Sequence, residues 1–134
     1  MKKVLSIVGV SLLFAATAWA HHSFAAEYDQ SKPVTLHGTL KLVELTNPHG
    51  WIHMDVKDKN GMVKHWTIET AAPSQLSRYG LKKADFVDGM TAMVKGYAGK
   101  RDPVLANGRT LVLKGGRSFY IGSVGGPNDG AEPH

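Results

Sequence analysis

Between Val34 and Glu69 the chain alternates apolar and polar residues in three short runs, each closed by turn residues. A period of two over such runs commits the chain to β-strands before any other feature is considered. Val34 to Leu45 sets Leu36, Leu40 and Leu42 on one face, with His37, Thr39 and Lys41 on the other. Trp51 to Val56 sets Ile52, Met54 and Val56 against Trp51, His53 and Asp55, and Met62 to Glu69 carries Trp66 and Ile68 on its apolar face. The register of the last two runs is forced, because a one-residue slip turns every side chain to the wrong face. A three-residue turn of Lys59, Asn60 and Gly61, with Gly61 left-handed, pairs Asp58 with Met62 and keeps core against core. Met54 then meets Trp66 and Ile52 meets Ile68 inside. Outside, Trp51 meets Glu69, His53 meets Thr67 and Asp55 meets His65.

The rest of the chain continues in the same style. Pro73 to Gly80 predicts one short helix, begun at Ala72 or Pro73 and closed by Gly80. A fourth strand runs from Thr91 to Tyr97 with Ala92 and Val94 in the core. A basic loop follows from Gly99 to Gly108. The last two strands, Arg109 to Lys114 and Arg117 to Ile121, turn at Gly115-Gly116. Three strands, a helix and two or three more strands are the element order of an all-β domain with one short helix. The architecture read from it is a small OB-fold-like Greek-key barrel whose open end the helix plugs. A β-sandwich is the alternative. The expected organisation is a cleaved signal peptide (1–20), an N-terminal segment (21–33), the barrel (34–124) and a disordered Gly/Pro/Asp-rich tail (125–134).

The first twenty residues read as a leader. Lys2 and Lys3 form a positive start and Val4 to Ala16 an apolar run; Ala18 and Ala20 are the small residues that precede a signal-peptidase cut. The run is shorter than the ~20 apolar residues needed to span a bilayer, so no membrane span is expected after cleavage. The expected compartment is the periplasm. The full chain has 16 Lys and Arg against 11 Asp and Glu, a formal +5; losing Lys2 and Lys3 leaves 14 against 11, or +3. That modest charge and an exported destination exclude nucleic acid as a partner. Lys95, Lys100, Arg101, Arg109, Lys114 and Arg117 then read as a solvated surface, with Tyr97 or Trp51 as stacking platforms only if a glycan or lipid headgroup binds.

Cleavage after Ala20 makes His21 the first residue. Its α-amine and its own imidazole can close one chelate ring on a metal ion, and further imidazoles complete the nitrogen-rich set that Cu(II) favours. The chain has no Cys, which removes thiolate sites, and Met54, Met62, Met90 and Met93 form no thioether cluster. All seven His fall after the cut. In Asn47-Pro48-His49-Gly50-Trp51, Pro48 restricts Asn47 and aims His49, with Trp51 beside it as an apolar wall. The candidate ligands are therefore His21 and His49, with His22 and His53 as additions. Glu69, Trp51 and Asn47 stand behind them, Glu69 as an acceptor that orients an imidazole. The other readings are an ordinary solvated turn for His49 and a solvated carboxylate for Glu69. His65 opposite Asp55 is a cross-strand pair rather than a ligand. His37 and His134 receive no role.

A hydrolytic centre would need a nucleophile, a base and an orienting group. Ser23, Ser74, Ser77 and Ser118 show no such motif, and Gly96-Tyr97-Ala98-Gly99-Lys100 lacks the spacing of a phosphate loop. No catalytic set is assigned.

The combination of a leader, His21-His22-Ser23-Phe24, Tyr28-Asp29, Pro33 to Gly38, Asn47-Pro48-His49, Trp51, Trp66 and Glu69 resembles a family of small secreted bacterial domains, the domain of unknown function numbered 6152. Leu76, Gly80, Gly89, Val94 and Gly96 complete the pattern, and Met90 departs from an acidic residue frequent there. The resemblance implies fold and compartment but no activity. The terminal His also resembles the histidine-brace start of periplasmic copper-resistance carriers and lytic polysaccharide monooxygenases. Only a terminal and a partner His match, so oxygenase activity is not implied. The expected function is a periplasmic copper(II) carrier, buffer or sensor, with a metal ion and a periplasmic protein as its partners. The alternative is a non-metal module for a glycan, lipid headgroup or protein.

Overall fold

The computed structural model describes Trp19 and residues 21–128. Six strands form one mostly antiparallel sheet: β1 (Tyr28–Glu44), β2 (Gly50–Lys57), β3 (Val63–Thr70), β4 (Thr91–Gly99), β5 (Leu105–Leu113) and β6 (Ser118–Tyr120). Their order is β3-β2-β1-β4-β5-β6, and a parallel β3–β5 pairing closes the sheet into a ring. The short helix Pro73–Arg78 is the one helix after β1 besides a single 3-10 turn. Its end is built as anticipated, with Gly80 at φ 85° and the Leu81 amide donating to Leu76 O. Leu76 enters the core beside Ala71 and Leu81.

The β2–β3 hairpin has the register that the alternation demands. Met54 pairs with Trp66, Ile52 with Ile68, Trp51 with Glu69, His53 with Thr67 and Asp55 with His65. Gly61 sits at φ 79°, and the Asp58 amide donates to Met62 O across the three-residue turn. Leu36, Leu40, Ile52, Met54, Ile68, Ala92, Val94 and Leu111 fill the interior. Burying such side chains contributes about 1.5–3 kcal/mol for each large one, which outweighs any local propensity in these short strands.

Three expectations are corrected. Leu42 does not share the core face of Leu36 and Leu40; it is 51% exposed. The β1–β2 ladder slips between Leu40 and Leu42, and this bulge at Lys41 hands the inward position to Val43 opposite Ile52. Second, β1 starts at Tyr28 rather than Val34. Tyr28 and Asp29 pair with Gly99 and Ala98, residues 30–32 bulge out, and pairing resumes at Pro33 with Tyr97. The polar stretch that reads as a break is a bulge inside one strand. Third, Leu105 to Gly108 belong to β5 and not to a basic loop. The leader, apart from Trp19, and residues 129–134 with His134 lie outside the described residues. No described helix is long and apolar enough to cross a membrane.

Candidate functional site

The Asn47–Pro48 peptide bond is cis, and the Thr46 hydroxyl donates to His49 O across the turn at 2.9 Å. The Gly50 amide then donates to Ala71 O. These bonds set His49 at the start of β2, over the end of β3, where Glu69 stands. Glu69 is 7% exposed, so it is not a solvated glutamate. One carboxylate oxygen, Oε2, accepts a hydrogen bond from the Tyr28 hydroxyl at 2.5 Å. The other, Oε1, lies 3.4 Å from His49 Nδ1. That nitrogen is buried and has no hydrogen-bond partner, although 40% of the His49 side chain is exposed. With Nδ1 buried against Glu69, Nε2 is the ring nitrogen left for a ligand.

The N-terminal segment forms the far wall. Residues 21–27 are helical. Phe24 and Tyr28 are buried and pack with Tyr97 into a second apolar cluster. Phe24 meets Tyr28 at 5.4 Å and the Tyr97 ring edge-on at 6.2 Å between centroids. The Lys100 ammonium donates to Ala25 O, and the Lys100 amide to Glu27 O. Phe24 and Tyr28 thus pin this segment over the hairpin at Trp51 and Glu69. Between segment and hairpin lies a cavity of about 310 Å³ lined by Ser23, Phe24, Glu27, Tyr28, His49, Trp51, Glu69, Ser123 and Val124.

Of the sequence-derived site residues, His49, Trp51 and Glu69 come together in this cavity. His21 does not line it; it lines a neighbouring cleft on the other side of Phe24. In the chain described, Ala20 precedes His21, so the His21 nitrogen is an amide and not an amine. His22 and Asn47 are exposed and line neither space. His53 turns toward β1, with Nε2 2.6 Å from Glu44 Oε2. His65 Nδ1 meets Asp55 Oδ1 at 2.5 Å, the cross-strand pair read from the register. Among the described residues no three His, Asp or Glu side chains converge as a metal site.

Two residues contradict the solvated-surface reading. Tyr97 is 6% exposed and belongs to the Phe24–Tyr28 cluster, so it is no open stacking platform. Arg109 is 9% exposed. It is the extra residue where the β4–β5 ladder shifts between Lys95↔Thr110 and Gly96↔Gly108. The sequence did not single out Tyr28 as the polar partner of Glu69. A tyrosine paired in strand register near the one acidic residue ending β3 is a weak signal, hidden by the bulge that separates Tyr28 from Val34.

Burial, then the hydrogen bond to Glu69 and its charge, hold the Tyr28 phenol far above the ordinary tyrosine range. The unfolded chain releases this proton near pH 10 while the folded chain keeps it. The stabilisation is thus fully present below pH 10 and is lost as pH rises past it, by up to about 1.4 kcal/mol per pH unit. Urea denaturation between pH 8 and 11 should show this decline in the native chain. Tyr28→Phe should lower stability at neutral pH by about 1.5–3 kcal/mol, the usual contribution of a hydrogen bond to a charged group, and should flatten the alkaline decline.

Residues 10–105 match a family of unknown function (DUF6152). No curated protein matches the chain.

Proposed function

Because the chain belongs to that family of unknown function, its role rests on its own residues, and from them we propose a periplasmic copper(II)-binding protein, a carrier, buffer or sensor. The ligands are the amine and ring of the processed His21 and the ring of His49, in a histidine-brace-like arrangement. His22 or His53 are further candidates. The observation that carries the reading is the chain of contacts from Tyr28 to Glu69 to His49 Nδ1 at the wall of a cavity that the N-terminal segment roofs. A carboxylate behind one imidazole nitrogen raises the basicity of the other and fixes the ring for a metal. Residues 21–23 precede the Phe24 anchor. Extended, each of these residues spans about 3.3–3.6 Å, which is the reach by which the processed His21 would swing from its own cleft toward His49.

Copper(II) titration of metal-free protein whose intact mass starts at His21 tests this reading. Stoichiometric binding is expected, lost with His49→Ala and weakened about tenfold or more with Glu69→Gln, the usual effect of removing such a carboxylate. An intact mass starting at Ser23 ends the reading, as does full affinity in His49→Ala. The rival reading, a non-metal OB-fold-like module for a glycan, lipid headgroup or protein, draws support from the circular strand order and from Trp51 in the cavity wall. It predicts no copper response at all.

A further inference from the structure

Arg109 carries a full charge in a place where no described residue gives it a counter-charge. Its side chain is nine-tenths buried, and its guanidinium donates to Val124 O and lies 5.0 Å from the centroid of the Tyr120 ring. Both of those partners are neutral. Nε is buried without a partner. No Asp or Glu among the described residues forms an ion pair with it. A guanidinium out of water without an anion is costly, and folds keep such a charge where something offsets it.

Arg109 lines a cleft of about 160 Å³ together with Gln30, Tyr97 and His21. Glu27 and Glu69 line the cavity on the other side of Phe24, and Asp29, paired with Lys32, lines a third space with Gln30 and Lys100; none of the three lines this cleft. Phe24 therefore separates an acidic space from a cationic one. The cleft is below the roughly 300–1,000 Å³ of sites that take large organic ligands, so it suits a single charged group or a very small acid. A guanidinium matches carboxylate and phosphate oxygens in geometry as well as charge.

We propose that the Arg109 cleft is a binding site for a small oxyanion, a carboxylate or phosphate group, with Arg109 as its counter-ion and Gln30 at its mouth. The site shares His21 with the metal proposal but not Arg109 or Gln30, so in metal-free protein its binding stands or falls separately from copper.

The test uses the processed chain freed of metal on a chelating resin. Inorganic phosphate and acetate are titrated against sodium chloride of matched ionic strength, while the Arg109 Nε–H and Gln30 amide resonances are followed by NMR. Saturable shifts with phosphate or acetate are expected, and the tighter of the two identifies the class of oxyanion. Arg109→Gln should abolish them. Gln30→Glu, at an exposed position that does not threaten the fold, should weaken binding at least tenfold. An equal response to chloride overturns the proposal, as does unchanged affinity in Gln30→Glu. Binding that appears only in an Asp129→Asn, Glu132→Gln variant also overturns it, because the chain's own tail would then be the counter-ion.

Discussion

Extending the processed chain by three alanines ahead of His21 should weaken copper(II) binding about a hundredfold or more, with every side chain still present. A terminal amine and the imidazole of the same residue act as one bidentate ligand. Once one nitrogen is bound, the other is held at high effective concentration, an effect commonly of 10²–10⁴ in affinity. Three residues are needed. Shorter extensions would place His22 or His21 third in the chain, where the amine, two backbone nitrogens and the imidazole can wrap copper by themselves. Binding to the native terminus should also weaken as pH falls through the range where imidazoles and amines take up protons, since only the free bases ligate. Circular dichroism should report the same fold for both proteins. Equal affinity in the extended chain would leave the metal to imidazoles alone, those of His21, His22, His49 and His53.

How far the sequence leads here depends on whether a feature is local. The β2–β3 hairpin was fully legible because two constraints, core pairing and a three-residue turn ending in Gly61, admit one register. The helix was legible from Pro73 and Gly80 for the same reason. The β1 bulges were not. Nothing local to Lys41 says that an extra residue stands there; the slip lies just past Thr39, where the β1–β4 pairing ends and β1 continues on β2 alone. Leu42 was consequently assigned to the wrong face. At the candidate site, His49, Trp51 and Glu69 were legible because they sit on the hairpin and its turn. Tyr28 and Arg109 were not, since each reaches its place through a bulge in a different ladder.

Gly96→Ala should be among the most destabilising single substitutions in the domain, lowering stability by about 3 kcal/mol. For a domain of this size that corresponds to a fall in Tm of roughly 10 °C or more. The reason is steric and not conformational. Gly96 is absent from the glycines with positive φ, so alanine suits its backbone. A Cβ there would, however, stand 2.0 Å from Asn107 O and 2.9 Å from Asn107 C, both main-chain atoms that cannot rotate away. Relief requires β4 and β5 to part where Asn107 also pairs with Glu69 in the parallel β3–β5 contact that closes the ring. The damage should therefore spread to the Glu69–His49 wall, with faster amide exchange at Thr67, which donates to Val104 O beside that contact. Gly61→Ala is the matched control: its Cβ meets nothing within 4 Å, but its φ of 79° is left-handed. It should cost about 1 kcal/mol from backbone strain alone, with Thr67 exchange unchanged relative to the global loss. Equal effects of the two alanines on Tm would show that the β4–β5 approach yields to a methyl group, and that the ring is held less tightly than its packing requires.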